Sequence, residues 1–327
     1  MAAVLNISGL SVDFATLRGP LRVLDGVDFS LEEGEILGLV GESGSGKSVS
    51  AMTVMGLLPD TARIAAGSIR LGGRELVGLG RKAMRPLRGR DMAMIFQEPM
   101  TSLNPVLTVG FQIAETRMLH FGESEPAAMR KAVEMMEAVG IPDPAARALD
   151  YPHQLSGGMR QRIMIAIAMA GEPRLLIADE PTTALDVTIQ AQILDLMLDL
   201  RDRTGTAILM ITHDMGVIAQ MADRVAVMYA GQIVEQAGAD DLFDHPAHPY
   251  TNRLLQSIPS ARHRVDRLKI IPGTTPSPRD FALGCRFQPR CEDALTRCLS
   301  EAQVLAQYAP DRLVRCWRCF EPAEGVV

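Results

Sequence analysis

Apolar positions recur at close to strand spacing from the start of the chain. Val4, Leu5, Ile7, Leu10, Val12 and Phe14 predict a strand over 4–14, and a second is expected over 27–31. The run Ile36-Leu37-Gly38-Leu39-Val40 is apolar throughout, as a strand buried on both faces must be. A glycine-rich turn comes next, then a helical stretch from Lys47 to about Leu58. Residues 67–71 with Gly72 and Gly73 predict a hairpin, and 91–96 another buried strand. Between about 106 and 150 the spacing turns helical. Over 127–139, Met129, Val133, Met136 and Val139 fall near one face and Gly140 supplies the stop, so an inserted helical subdomain is expected over about 103–165.

Strand signals return at 175–178, 207–211 and 224–228. They alternate with an amphipathic helix in which Ile189, Ile193, Leu196, Met197 and Leu200 keep the 3.6-residue period. Strand, helix, strand implies parallel βαβ units in a layered α/β domain. A short helix after Gly238, the 248–258 segment and a Pro/Gly-rich linker over 271–278 complete the pattern. In such sheets ligands sit at the carboxyl ends of strands, where the glycine-rich turns of this chain lie.

A length of 327 residues corresponds to about two domains. With 47% hydrophobic and 22% charged residues the composition excludes wholesale disorder. The longest apolar run, 163–170, falls well short of the roughly 20 residues a membrane helix needs. The N-terminus lacks the basic start of a secretory signal, so a cytoplasmic location is expected. A net charge of −6 argues against a protein that coats nucleic acid. The charge is uneven: residues 261–327 are net basic and hold all 5 cysteines and the 1 tryptophan. That shift marks a boundary near residue 260, with domains expected over 1–260 and 261–327.

The strongest chemical motif is Gly41-Glu42-Ser43-Gly44-Ser45-Gly46-Lys47-Ser48, directly after a buried strand and opening a helix. Glycines let consecutive backbone N–H groups converge on an anion, and the helix start adds partial positive charge. Lys47 reaches the terminal phosphates, and Ser48 can ligate Mg²⁺. A second element is Leu175-Leu176-Ile177-Ala178 ending in Asp179-Glu180. Carboxylates at such a strand tip suit a metal's water shell (Asp179) and polarisation of an attacking water (Glu180). The third is Leu155-Ser156-Gly157-Gly158-Met159-Arg160-Gln161, in which Ser156 is a natural N-cap and the glycines expose backbone donors. A single nucleotide bound at Lys47 has no use for this second anion-binding helix start.

Taken together these motifs resemble the nucleotide-binding subunit of an ABC transporter. The matches are residues 41–48 (Walker A), Gln97 (Q-loop), 155–161 (signature), 175–179 (Walker B), Glu180, Ala184-Leu185-Asp186 (D-loop) and His213 (switch histidine). The resemblance implies a P-loop NTPase cassette: a RecA-like parallel sheet core, an antiparallel β subdomain, an inserted α-helical subdomain and, here, a small Cys-rich C-terminal module. It implies ATP and Mg²⁺ as ligands, with Ser48, Gln97 and Asp179 toward the metal and His213 toward the γ-phosphate. It also implies head-to-tail pairing of cassettes, in which Ser156, Gly157 and Gly158 cover the nucleotide of the partner. Phe14 is the candidate adenine-stacking aromatic, although residues 16–22 form an apparent insertion and Phe29 lies nearby. The stretches 96–105, 245–251 and Pro272-Gly273-Thr274 are similar to the ATPase subunits of bacterial peptide importers, the Opp/Dpp group. That closer resemblance implies uptake, a second and homologous cassette, two transmembrane permeases, an indirect solute-binding protein, and a place at the cytoplasmic face of the plasma membrane.

Cys285, Cys291, Cys298, Cys316 and Cys319 cluster within 35 residues, which points to a metal site over scattered buried thiols. Only Cys316 and Cys319 have the short spacing usual for zinc. The segment 284–291 is similar to one that carries a 4Fe–4S cluster in some importers of this group, which implies Cys285, Cys291, Cys298 and Cys316 as ligands. Arg286, Arg290, Arg297, Arg315 and Arg318 are expected either to hold those thiolates ionised or to form a solvated face. Two rival functions fit less of the chain. An ABC-type ATPase acting on nucleic acid or ribosomes calls for a coiled-coil insertion or a second cassette. A P-loop kinase leaves Ser156, Gly157, Gly158 and the cysteine-bearing tail without purpose.

Overall fold

The computed structural model describes residues 3–97, 102–183, 185–257 and 271–320. The expected boundary at residue 260, Ala184 of the D-loop and residues 98–101 of the importer-like stretch lie outside the described residues. The chain divides into two compact units, one of Met1–Leu5, Leu31–Glu35 and Leu71–Met210, the other of Asn6–Ser30, Ile36–Arg70 and Ile211–Val327.

In the first unit Met92–Ile95 and Leu175–Asp179 pair in parallel, Met92 opposite Leu175 and Ile95 opposite Ala178. Leu175, Leu176, Ile177 and Ala178 are at most 2% exposed, which is what their unbroken apolar run requires. Helices Val109–Phe121, Glu125–Ala138 and Gly157–Met169 bury Ile113, Ala114, Ala128, Ala132, Met136 and Ile163 completely. Alanines at these positions let the helices come close. Backbone bonds close the helical segment on itself: Val109 N–H donates to the Asp150 carbonyl at 2.9 Å and Gly110 N–H to that of Ala148 at 3.0 Å. A Cβ at Gly110 would stand 2.7 Å from that Ala148 oxygen, so no other residue fits there.

In the second unit Ile36–Val40 pairs in parallel with Arg224–Tyr229, Leu37 opposite Arg224 and Val40 opposite Val227. Gln232–Gly238, Arg312–Val314 and Ala306–Ala309 extend this sheet antiparallel. Leu5–Thr16 and Gly19–Leu31 form a long hairpin beside Ala62–Leu71. These strands outrun the expected 4–14 and 27–31, because Gly19, Pro20 and Gly26 disguise the second one. The apparent insertion at 16–22 is the tip of this hairpin, with Leu17 fully exposed.

The strand Gln232–Gly238 and the C-terminal hairpin escape the sequence pattern because Glu235 and Gln236 are polar yet buried. Glu235 is satisfied on both oxygens. Oε1 accepts from Ala247 N–H at 2.9 Å and from Arg312 Nη2 at 2.7 Å, and Oε2 from His248 N–H at 2.8 Å. His248, 1% exposed, caps the helix Pro249–Gln256 by accepting the Tyr250 N–H on Nδ1 at 3.0 Å. That acceptor must stay unprotonated, and burial pushes the imidazole down to about 3.

A histidine held neutral in the native state and free to charge when unfolded stabilises the fold fully above about pH 6.5 and loses that contribution as pH falls toward 3. Urea unfolding midpoints are therefore expected to fall through this window in the native protein. They should fall less steeply in His248→Asn, which keeps a capping acceptor without a titrating ring.

Candidate nucleotide site

The loop after Ile36–Val40 folds as an anion cradle. Gly41, Gly44 and Gly46 take φ values of 153°, 78° and 110°. A side chain at Gly41 would collide with the Met228 carbonyl, since its Cβ would lie 2.1 Å from that oxygen. Lys47, at the start of the helix Lys47–Met55, is 7% exposed. Its ammonium donates to the carbonyls of Gly41 at 2.7 Å and Glu42 at 3.1 Å, drawing the loop around a positive centre. Ser45 is 1% exposed, and its hydroxyl has no partner among the described residues. Such a buried orphan in a glycine-rich loop at a helix start fits a polyanion as ligand. Ser43 and Ser48 face solvent.

The first unit carries the carboxylates. Asp179 ends its strand 5% exposed, and Glu180 comes next with φ 49°, a left-handed conformation that a glutamate adopts only under constraint. Glu180 Oε2 accepts from Gln97 Nε2 at 3.0 Å and from Thr183 Oγ1 at 2.9 Å. Gln97 is thus joined to the expected catalytic carboxylate across 83 residues of sequence. In the signature segment Ser156 Oγ accepts the Met159 N–H at 3.3 Å and opens the helix Gly157–Met169; Ser156 and Gly157 are exposed and Gly158 is half-buried. Asp186 caps the helix Val187–Thr204 by accepting the Ile189 N–H at 2.9 Å. Hydroxyl, amide and carboxylate oxygens at Ser48, Gln97 and Asp179 are the hard donors that Mg²⁺ prefers.

His213 is exposed between the strand Ala207–Thr212 and Asp214. Asp214 caps the helix Met215–Met221 and donates its N–H to Thr212 Oγ1 at 3.0 Å, which fixes the backbone at His213. Phe29 is core at 4% exposure, whereas Phe14 on Leu5–Thr16 is half-buried.

Residues 24–183 match the ABC transporter family, and residues 234–298 match the oligopeptide/dipeptide transporter C-terminal region. The chain is 52% identical over 97% of its length, and 96% of the relative's, to a probable peptide ABC transporter ATP-binding protein of Sinorhizobium fredii. The chain belongs to the ATP-binding proteins of peptide ABC transporters. It is also 48% identical, over 97% of each chain, to an oligopeptide transport ATP-binding protein of Bacillus subtilis. A dipeptide transport ATP-binding protein of Escherichia coli is likewise 48% identical, over 96% of each chain. A solved dimeric bacterial ABC transporter cassette superposes with TM-score 0.65 at 24% identity, covering 72% of this chain and 98% of its own, a likeness of fold.

In this ABC protein the cysteines expected to hold an iron–sulfur cluster are not gathered into a ligand set among the described residues. Among the described residues no three His, Cys, Asp or Glu side chains are placed to hold a metal ion. Cys285, Cys291, Cys298 and Cys316 are free thiols, and Cys285 N–H donates to the Cys298 carbonyl at 2.8 Å. The arginines expected to keep thiolates ionised are committed elsewhere. Arg286 pairs with Asp25, Arg290 with Glu42, Arg297 with Glu301 and Arg318 with Asp293, while Arg315 donates to the carbonyls of Ile233 and Gln303. Desolvation pushes the Cys285 thiol up to about 11 and the Cys291 thiol up to about 12. Cys316 differs: the hydrogen bond from Cys319 brings it down to about 7, and Cys319 is raised in return. The Ala247 carbonyl, 3.6 Å from Cys319 Sγ, is the alternative acceptor for that single proton.

Sequence spacing gives no hint of Arg290 and Tyr250 at the nucleotide site, yet both touch the phosphate loop at Glu42. The His-Pro-Tyr run at 248–250 reads as a family marker without a role, and nothing local ties it to residue 42.

Brief iodoacetamide treatment at pH 7.5 and subsequent peptide mass spectrometry are expected to show Cys316 labelled well before Cys285 and Cys291. Equal protection of Cys285, Cys291, Cys298 and Cys316 would reinstate a shared ligand set.

Proposed function

We propose that this chain is the ATP-hydrolysing subunit of a bacterial peptide importer. The observation that carries the reading is the near full-length match to peptide-transport ATP-binding proteins, which runs through the cassette and on into the C-terminal region. The loop of Gly41, Glu42, Ser43, Gly44, Ser45, Gly46, Lys47 and Ser48 binds the phosphates of ATP through backbone N–H groups and the Lys47 ammonium. Ser48, Gln97 and Asp179 would hold Mg²⁺, which when bound offsets charge on the phosphates. Glu180 takes up the proton of the attacking water, and His213 steadies the γ-phosphate. Phe14 stacks on adenine.

Ser156, Gly157 and Gly158 present free backbone donors at a helix start, and they act on the nucleotide of a second cassette, with Asp186 beside that junction. Two ATP molecules shared in this way add contacts available only to the closed pair, so binding favours closure and hydrolysis releases it. No helix among the described residues is long and apolar enough to cross a membrane, in keeping with attachment through separate permease subunits at the cytoplasmic face. An extracytoplasmic solute-binding protein delivers the peptide to those permeases.

Glu180→Gln should keep ATP affinity near that of the native chain while lowering ATPase turnover about 100-fold or more, the usual contribution of a positioned base. Lys47→Ala should instead weaken ATP binding itself, read by nucleotide titration. Undiminished turnover in Glu180→Gln would remove that carboxylate from the mechanism.

A further inference from the structure

The phosphate loop contains an acid. Glu42 is its second residue, and a free carboxylate there would oppose the polyanion that the loop is shaped to hold. The chain compensates it with a residue 248 positions further on. Arg290 donates Nη1 to Glu42 Oε2 at 2.6 Å and Nη2 to Oε1 at 3.0 Å, a two-point pair that fixes orientation as well as charge. The Arg290 side chain is 7% exposed and that of Glu42 27%, so solvent screens the pair weakly.

Arg290 is itself aimed. Its Nε donates to the Pro272 carbonyl at 2.8 Å, Nη2 to that of Gly273 at 3.3 Å and Nη1 to the Tyr229 hydroxyl at 3.3 Å. Glu42 is held from two further sides. Thr275 Oγ1 donates to its Oε2 at 2.7 Å, and its backbone N–H donates to the Tyr250 hydroxyl at 2.9 Å. Tyr250 packs against Tyr229 and Phe287, with ring centroids 4.6 and 5.4 Å away. A surface ion pair would need none of these supports.

Resting on the reading of residues 41–48 as an ATP loop, we propose that Arg290 is a positioning residue for nucleotide binding. It cancels the charge of Glu42 and fixes its side chain, so that the field at the phosphates is set by Lys47 and the backbone donors. The C-terminal region therefore takes part in nucleotide affinity without touching the nucleotide.

The test is a double-mutant cycle on the full chain, with Mg-ATP titrations and steady-state ATPase kinetics. Arg290→Met is expected to raise the Kd for ATP about tenfold, with kcat at saturation little changed, because the lost effect acts equally on ground and transition states. Added salt should narrow that gap. Arg290→Lys should fall between the two. In the Glu42→Gln background the same Arg290→Met change should cost almost nothing, an outcome that simple loss of packing would not give. The inference is overturned if Arg290→Met binds ATP as the native chain does, or if its penalty persists undiminished in Glu42→Gln. Should Arg290→Met fail to fold, Arg290→Lys with and without Glu42→Gln decides by the same criterion. A native chain that binds no ATP overturns the underlying loop assignment instead, which separates the two failures.

Discussion

Binding a polyanion with backbone amides demands a loop that turns inward on itself, and a chain of L-residues resists that shape. Lys47 is the interaction that holds it. Buried at the helix start and bonded to the carbonyls of Gly41 and Glu42, its ammonium replaces the contacts that an unliganded turn would otherwise lack. The demand reaches outward from there. The loop needs a rigid base, which Ile36–Val40 supplies by being buried on both faces, and it needs glycine where the Met228 carbonyl presses against it.

Charge distribution obeys the same logic. The site of an ATPase needs carboxylates for water and metal but must not repel phosphate. Asp179 and Glu180 sit at a strand end, with Glu180 engaged by Gln97 and Thr183, while the remaining loop acid is neutralised by Arg290. The basic excess of the C-terminal stretch, which invites a reading in terms of thiolates, is taken up largely by carboxylates and carbonyls of the same unit. This leaves Cys285 and Cys291 as half-buried thiols without an arginine partner of their own.

Much of this was legible in the sequence, because the decisive features are local. Apolar runs marked Ile36–Val40 and Leu175–Asp179, and the glycine spacing marked the turn between strand and helix. Asp186, Ser156 and Asp214 cap helices as residues of their type do. What escaped is what distance in the chain conceals. The strand Gln232–Gly238 looks like a polar loop until Arg312, 77 residues away, is placed against Glu235. The pairing of residues 42 and 290 has no local signal whatever. The cysteine cluster is the reverse case: proximity in sequence suggested convergence, and among the described residues no three ligands are grouped.

Glu180 carries a final consequence. Its left-handed backbone is a conformation that glycine or asparagine would occupy more comfortably, so the carboxylate is retained against a local energetic preference. A stability screen blind to catalysis would single out this position for replacement, and under the role proposed for Glu180 each gain in melting temperature there would come with a loss of turnover. That proposed role sets thermal robustness and work output against each other at one residue and makes position 180 a poor target for stabilising this chain by consensus or library selection.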